Sequence, residues 1–100
     1  MILPIKKKWF DMILSGEKKE EYREIKPYYT ARLKTEGFLD KEGNPTKRIN
    51  KVLFRNGYRK SSPSFEAYCS LAVRTGNPNW GAEAEKEYYV LKVLELKGAG

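Results

Sequence analysis

Short apolar runs alternate with dense polar stretches along this chain, and the spacing of the apolar positions changes with position. Residues 1–5 form a brief apolar run ended at Pro4-Ile5 and read as a strand. Over residues 6–15, Phe10, Ile13 and Leu14 fall at i, i+3 and i+4. Trp9 joins Ile13 at the same spacing, so the segment predicts an amphipathic helix, with Trp9 and Phe10 assigned to the core. Gly16 suits the left-handed cap that ends it. Residues 18–25 are expected to run extended. Pro27 fits the first turn of a second helix, where its missing N–H costs nothing, and that helix ends before Gly37. Tyr29 and Leu33 share a face of it, and Tyr28 lies off that face.

The second half reads as strands. Residues 36–50 are polar and turn-rich, with Asp40-Lys41-Glu42-Gly43-Asn44-Pro45 predicting a loop or small hairpin. In the strand at 51–55, Val52 and Phe54 face one way and Leu53 and Arg55 the other, until Asn56-Gly57 breaks it. Residues 65–73 alternate most clearly, with Phe65, Ala67, Cys69, Leu71 and Val73 on one side. A loop follows at 75–86, then a final strand at about 87–97 with Tyr89, Leu91 and Val93 on one face. Two helices near the start followed by strands define an α+β fold. A strongly curved sheet or barrel is the expected closure, because it leaves few free edges. One hundred residues make a single domain, 1–100.

Charge narrows the partners. The formal net charge is +7 and the isoelectric point about 9.5. That balance attracts polyanions, nucleic acid first among them. Basic clusters lie at Lys6 to Lys8, at Lys47-Arg48 with Lys51, and at Arg55 with Arg59-Lys60. Histidine is absent, which removes the usual acid–base catalyst and the usual zinc ligand, so no metal and no cofactor is expected. Cys69 is the lone cysteine and reads as a buried core thiol in a reducing compartment. No run approaches the roughly 20 apolar residues of a membrane span. At the start of the chain the charge follows the apolar residues, the reverse of a secretory leader, so no membrane association and a cytoplasmic location are expected.

The candidate chemistry sits between the two helices, in Gly16-Glu17-Lys18-Lys19-Glu20-Glu21-Tyr22-Arg23. On an extended segment Glu21 and Arg23 point to the same side, and Lys18 leans over that surface from the helix exit. One carboxylate and two cations at one spot suit an anionic or hydrogen-bonding ligand, or proton transfer. Gly16, Lys18, Glu21 and Arg23 resemble the G-x-K-x-x-E-x-R signature of the ASCH domain family, in the same setting of apolar strand, helix, glycine and motif. Beyond residue 35 the resemblance rests on strand pattern and length. Asn56-Gly57-Tyr58 and Trp80-Gly81 add to it, being similar to loops of small stand-alone phage and bacterial members. It implies a small PUA-like β-barrel of about five to six strands with two short helices near the N-terminus, a fold many RNA-modifying proteins use to hold RNA.

On this basis the expected role is binding of RNA or a nucleotide-like ligand. Lys18 and Arg23 would hold a phosphate or a base carbonyl, and Glu21 would accept from an exocyclic amine. Tyr58 and Trp80 in their loops would stack unpaired bases, with Arg59 and Arg74 as further ligand-binding cations. The alternative is a hydrolase with Lys18 and Glu21 as catalytic residues. One form is a ribonuclease, which needs a base and cations around the phosphate. The other is an acetylcytidine amidohydrolase. That branch of the family is built on the motif lysine, a threonine three residues later and a glutamate further along. Glu21 stands at the threonine position here, and Glu66 and Glu85 are the candidates for the later glutamate.

Overall fold

The structure is a computed structural model and describes residues 1–97. Strand β1 (Ile2–Pro4) is followed by helix α1 (Lys7–Leu14), strand β2 (Glu20–Arg23) and helix α2 (Pro27–Thr35). Then come β3 (Asn50–Arg55), β4 (Ser64–Thr75), a 3₁₀ turn at Pro78–Trp80, and β5 (Glu87–Lys97). The strands form one sheet in the order β1-β3-β4-β5-β2, with β1 parallel to β3 and every other pair antiparallel. The sheet curls into a half-barrel, so the α+β architecture with two helices near the N-terminus is present. Among the described residues no helix is long and apolar enough to cross a membrane.

The core forms where the predicted faces meet. Val52 and Phe54 of β3, Ala67, Cys69 and Leu71 of β4, and Leu91 of β5 are buried together against Phe10 and Ile13 of α1 and Leu33 of α2. Burial inside this cluster pushes the Cys69 thiol up to about 12, so it behaves as a small apolar group. Val73, on the same side of β4 as Ala67, Cys69 and Leu71, is exposed. The 36–50 segment is a small hairpin-like loop, with Leu39 bridged to Pro45. Gly16, at φ 86°, ends α1 and donates to the Ile13 carbonyl 3.0 Å away, as a left-handed cap requires.

A second cluster has no counterpart in the sequence pattern. Tyr88 and Val90 are buried as fully as Tyr89 and Leu91, so β5 is covered on both faces. Their face packs with Tyr22 of β2 and with Ala82, and Trp80 leans on the group. The cover is the 76–86 loop, which is stitched down by the Asn77 amide donating to the Tyr22 hydroxyl at 2.8 Å. The Glu83 amide donates likewise to the Tyr88 hydroxyl at 3.0 Å. Burial and the nearby Glu20 carboxylate push the Tyr22 phenol up to about 12.

Candidate functional site

Strand β2 sorts its side chains by parity. Glu21 and Arg23 share the face of their β5 partners Leu91 and Tyr89, while Glu20 and Tyr22 take the other. Four segments converge on the β2 edge: the β1-to-α1 corner, the start of α2, and the loops at 56–58 and 80–81. Together they border an open cavity of about 780 Å³. Glu21, Arg23, Lys6 and Arg32 are among the charged groups on its wall. Both tryptophans and five of the seven tyrosines line it, whereas none of the four phenylalanines does. The aromatics that carry a polar atom have therefore been drawn to the cavity, and the wholly apolar ones to the core.

At its floor is a buried charge network. The Glu21 side chain is 6% exposed and lies 3.0 Å from Lys18 Nζ through one oxygen and 2.8 Å from Arg23 Nη1 through the other. Lys18 is 1% exposed, the largest of the fully buried side chains. Its ammonium also donates to the Trp80 carbonyl. It lies 4.4 Å from the Trp9 ring centre and 5.1 Å from that of Tyr22. Burial lowers the Lys18 pKa, and the Glu21 carboxylate partly offsets that fall. Such an ammonium is kept by what surrounds it: a carboxylate, a carbonyl and two ring faces replace its water.

Arg23 spans the seam of the half-barrel. Its Nη1 also donates to the Tyr22 carbonyl at 2.8 Å, and its Nη2 to the Pro4 carbonyl at 2.9 Å. Pro4 belongs to β1 and Arg23 to β2, the two edges of the sheet. One guanidinium thus joins edges that share no strand pairing, with the planar fork only arginine has.

Of the residues singled out in the sequence, Glu21, Arg23, Tyr58 and Trp80 line one cavity. Lys18 touches Glu21 but lies behind the wall, not on it. Arg59 is exposed on the turn beside Tyr58 and does not line the cavity. Arg74 lies on the opposite face of the sheet, in register with Tyr88, and pairs with Glu20. It does not line the cavity, although its β5 neighbour Tyr88 does. Glu66 pairs with Lys97, and Glu85 is an exposed loop residue, so neither reaches Lys18. Trp9 is corrected as well: Phe10 enters the core, but Trp9 is half-buried on the cavity wall. Tyr28, Tyr29 and Arg32 of α2 also line the cavity without having been singled out. Among the described residues no group of three or more Cys, Asp or Glu side chains is placed to hold a metal ion.

Gly81 fits the site at two levels. It has φ 101°, and a Cβ there would stand 3.0 Å from the Trp9 ring that covers Lys18. Gly81→Ala is expected to cost about 1–3 kcal/mol through backbone strain, with the loss read by urea denaturation. Trp9 fluorescence should shift with it. The chain matches no protein-family model, no curated protein and no solved structure.

Proposed function

We propose that the cavity holds a nucleobase, presented by RNA or by a nucleotide-like ligand, in an ASCH-type, PUA-related binding module. One observation carries the reading: tryptophan and tyrosine rings are gathered around a carboxylate–guanidinium pair. A planar heterocycle is recognised in that way, by ring faces on its flat sides and hydrogen bonds at its edge. Each Glu21 oxygen has a lone pair beyond the one its cation uses, and these suit an exocyclic amine. The volume is in the range of ordinary small-ligand sites. The surplus positive charge adds attraction for a phosphate chain.

A hydrolase on the same motif is favoured by one feature, the lowered pKa of Lys18 beside Glu21. An amine and a carboxylate in contact are the ingredients of an acetylcytidine amidohydrolase or a ribonuclease. The position of Lys18 speaks for binding instead. Its contacts go to Glu21, to the Trp80 carbonyl and to two rings, behind the surface a substrate would meet.

The test is labelled mixed-sequence single-stranded RNA incubated with the wild type and with Glu21→Gln, run on native and denaturing gels. Retarded, intact RNA is expected from the wild type, weakened roughly ten-fold in Glu21→Gln and weakened further by salt. Cleavage that vanishes in Glu21→Gln would establish the ribonuclease. Deacetylation of acetylcytidine in parallel tubes would establish the amidase. No retardation at low salt, and no nucleotide bound, would overturn the nucleobase reading.

A further inference from the structure

Tyr58 is unlike the other aromatics of the cavity. It stands at the rim and is 88% exposed, the most exposed large apolar side chain of the described residues. A ring left in water contributes nothing to folding, yet its turn is firmly built. The Asn56 amide donates to the Pro63 carbonyl at 2.8 Å, and the Ser62 amide to the Arg59 carbonyl at 2.9 Å. The Asn56 side chain ties the turn to the Ile5 carbonyl at 3.2 Å. A Cβ on Gly57 would meet Ser62 Oγ at 2.6 Å, so the turn is closed tightly on itself. The ring is therefore held in place without being packed.

Its surroundings are cationic. Arg59 and Lys60 follow it directly, both exposed, and Lys6 lies on the cavity wall. Among the described residues none of these three has an acidic partner that would neutralise it. A free nucleotide seated in the cavity would leave the Tyr58 face and these charges in water. A strand would use them: the neighbouring base on the ring, the phosphates along the cations.

We infer that the ligand is a single-stranded polynucleotide, with one base in the cavity and the adjacent base stacked on Tyr58 outside it, its backbone running past Lys6, Arg59 and Lys60. The inference rests on the nucleobase reading of the cavity and adds a second subsite to it. Stacking on one aromatic ring is sequence-tolerant, so the outer base is not selected by type.

Binding of mononucleotides, dinucleotides and octamers of RNA and DNA, titrated by fluorescence anisotropy or tryptophan quenching, tests it. Affinity is expected to rise at least about ten-fold from mononucleotide to dinucleotide, the range of one base–ring stack. In Tyr58→Ala that length advantage should disappear, and in Tyr58→Phe and Tyr58→Trp it should be kept. RNA-only gain would assign the strand to RNA, and equal gain to either backbone; both support the second subsite. Mononucleotides bound as tightly as octamers, or a length advantage intact in Tyr58→Ala, would overturn it and leave the cavity reading standing. Binding of neither would overturn both.

Discussion

Glu21→Ala is expected to destabilise the fold by about 3–5 kcal/mol, and Lys18→Met by clearly less. Among the described residues Glu21 is the only carboxylate in contact with the Lys18 ammonium, and it also faces the Arg23 guanidinium. Removing it leaves two cations sharing one buried site with no counter-charge. Removing Lys18 leaves Glu21 still paired with Arg23 at 2.8 Å, and methionine refills the space between Trp9 and Tyr22. For a chain of this length the larger loss lowers Tm by on the order of 20 °C. A double-mutant cycle with Glu21→Gln and Lys18→Met, measured by urea denaturation, should return a coupling of about 1–3 kcal/mol. Equal losses in Glu21→Ala and Lys18→Met would mean that Arg23 does not hold Glu21 as the geometry implies.

The same network sets a pH signature of definite sign. Lys18 has a folded pKa below its free value of 10.5, so between the two the unfolded chain holds more protons. Stability from this group therefore rises with pH through that window. Tyr22 and Cys69 act oppositely. Both are raised to about 12 in the fold, and the stability they contribute as neutral groups is lost above pH 10 and pH 9 respectively. Subtracting the Lys18→Met profile from that of the wild type isolates the rising component. Glu21→Gln removes the carboxylate that holds the Lys18 pKa up, so the window should extend further toward neutrality.

How far the sequence could be read follows from how local each signal was. The strands at 51–55 and 65–73 and both helices lie within two residues of their observed bounds, because periodicity and the Gly16 and Pro27 signals are written in consecutive residues. The pairing of Glu21 with Arg23 was equally legible, since strand parity alone puts them together. What escaped depended on contacts across the chain. Lys18 reads as a cation leaning over the ligand face until Trp80, 62 residues later, supplies a carbonyl and its loop a cover. Tyr88 and Val90 read as an outer face until the same loop folds over them. Arg74 was placed near the motif by type and charge, yet its guanidinium is taken up by Glu20, off the cavity wall. Trp9 met the helical spacing for a core residue, but Gly81 offers its ring a backbone surface at the rim of the cavity.

Arg23→Lys is the second large effect expected, and it reaches both folding and binding. Arginine here meets three acceptors that lie in different directions: Glu21 on its own strand, the Tyr22 carbonyl, and the Pro4 carbonyl across the seam. A lysine ammonium donates from a single point and cannot span them. It can keep the charge opposite Glu21, but the Pro4 carbonyl then loses the partner that ties β1 to β2. The expected loss is about 2–3 kcal/mol, most of it from the severed charge-assisted bonds. Hydrogen exchange distinguishes this from a general weakening. Amide protection should fall first in β1 and β2, the two edges joined by Arg23, while Val52, Ala67 and Cys69 in the middle of the sheet keep theirs. Leu3, Pro4 and Ile5 form part of the cavity wall, so opening the seam deforms the site even though the charge is conserved. Nucleotide affinity in Arg23→Lys should therefore fall by ten-fold or more, about 1.4 kcal/mol at the least. If affinity and edge protection both survive the substitution, Arg23 serves only to neutralise Glu21, and the seam is held by the β1–β3 pairing without it.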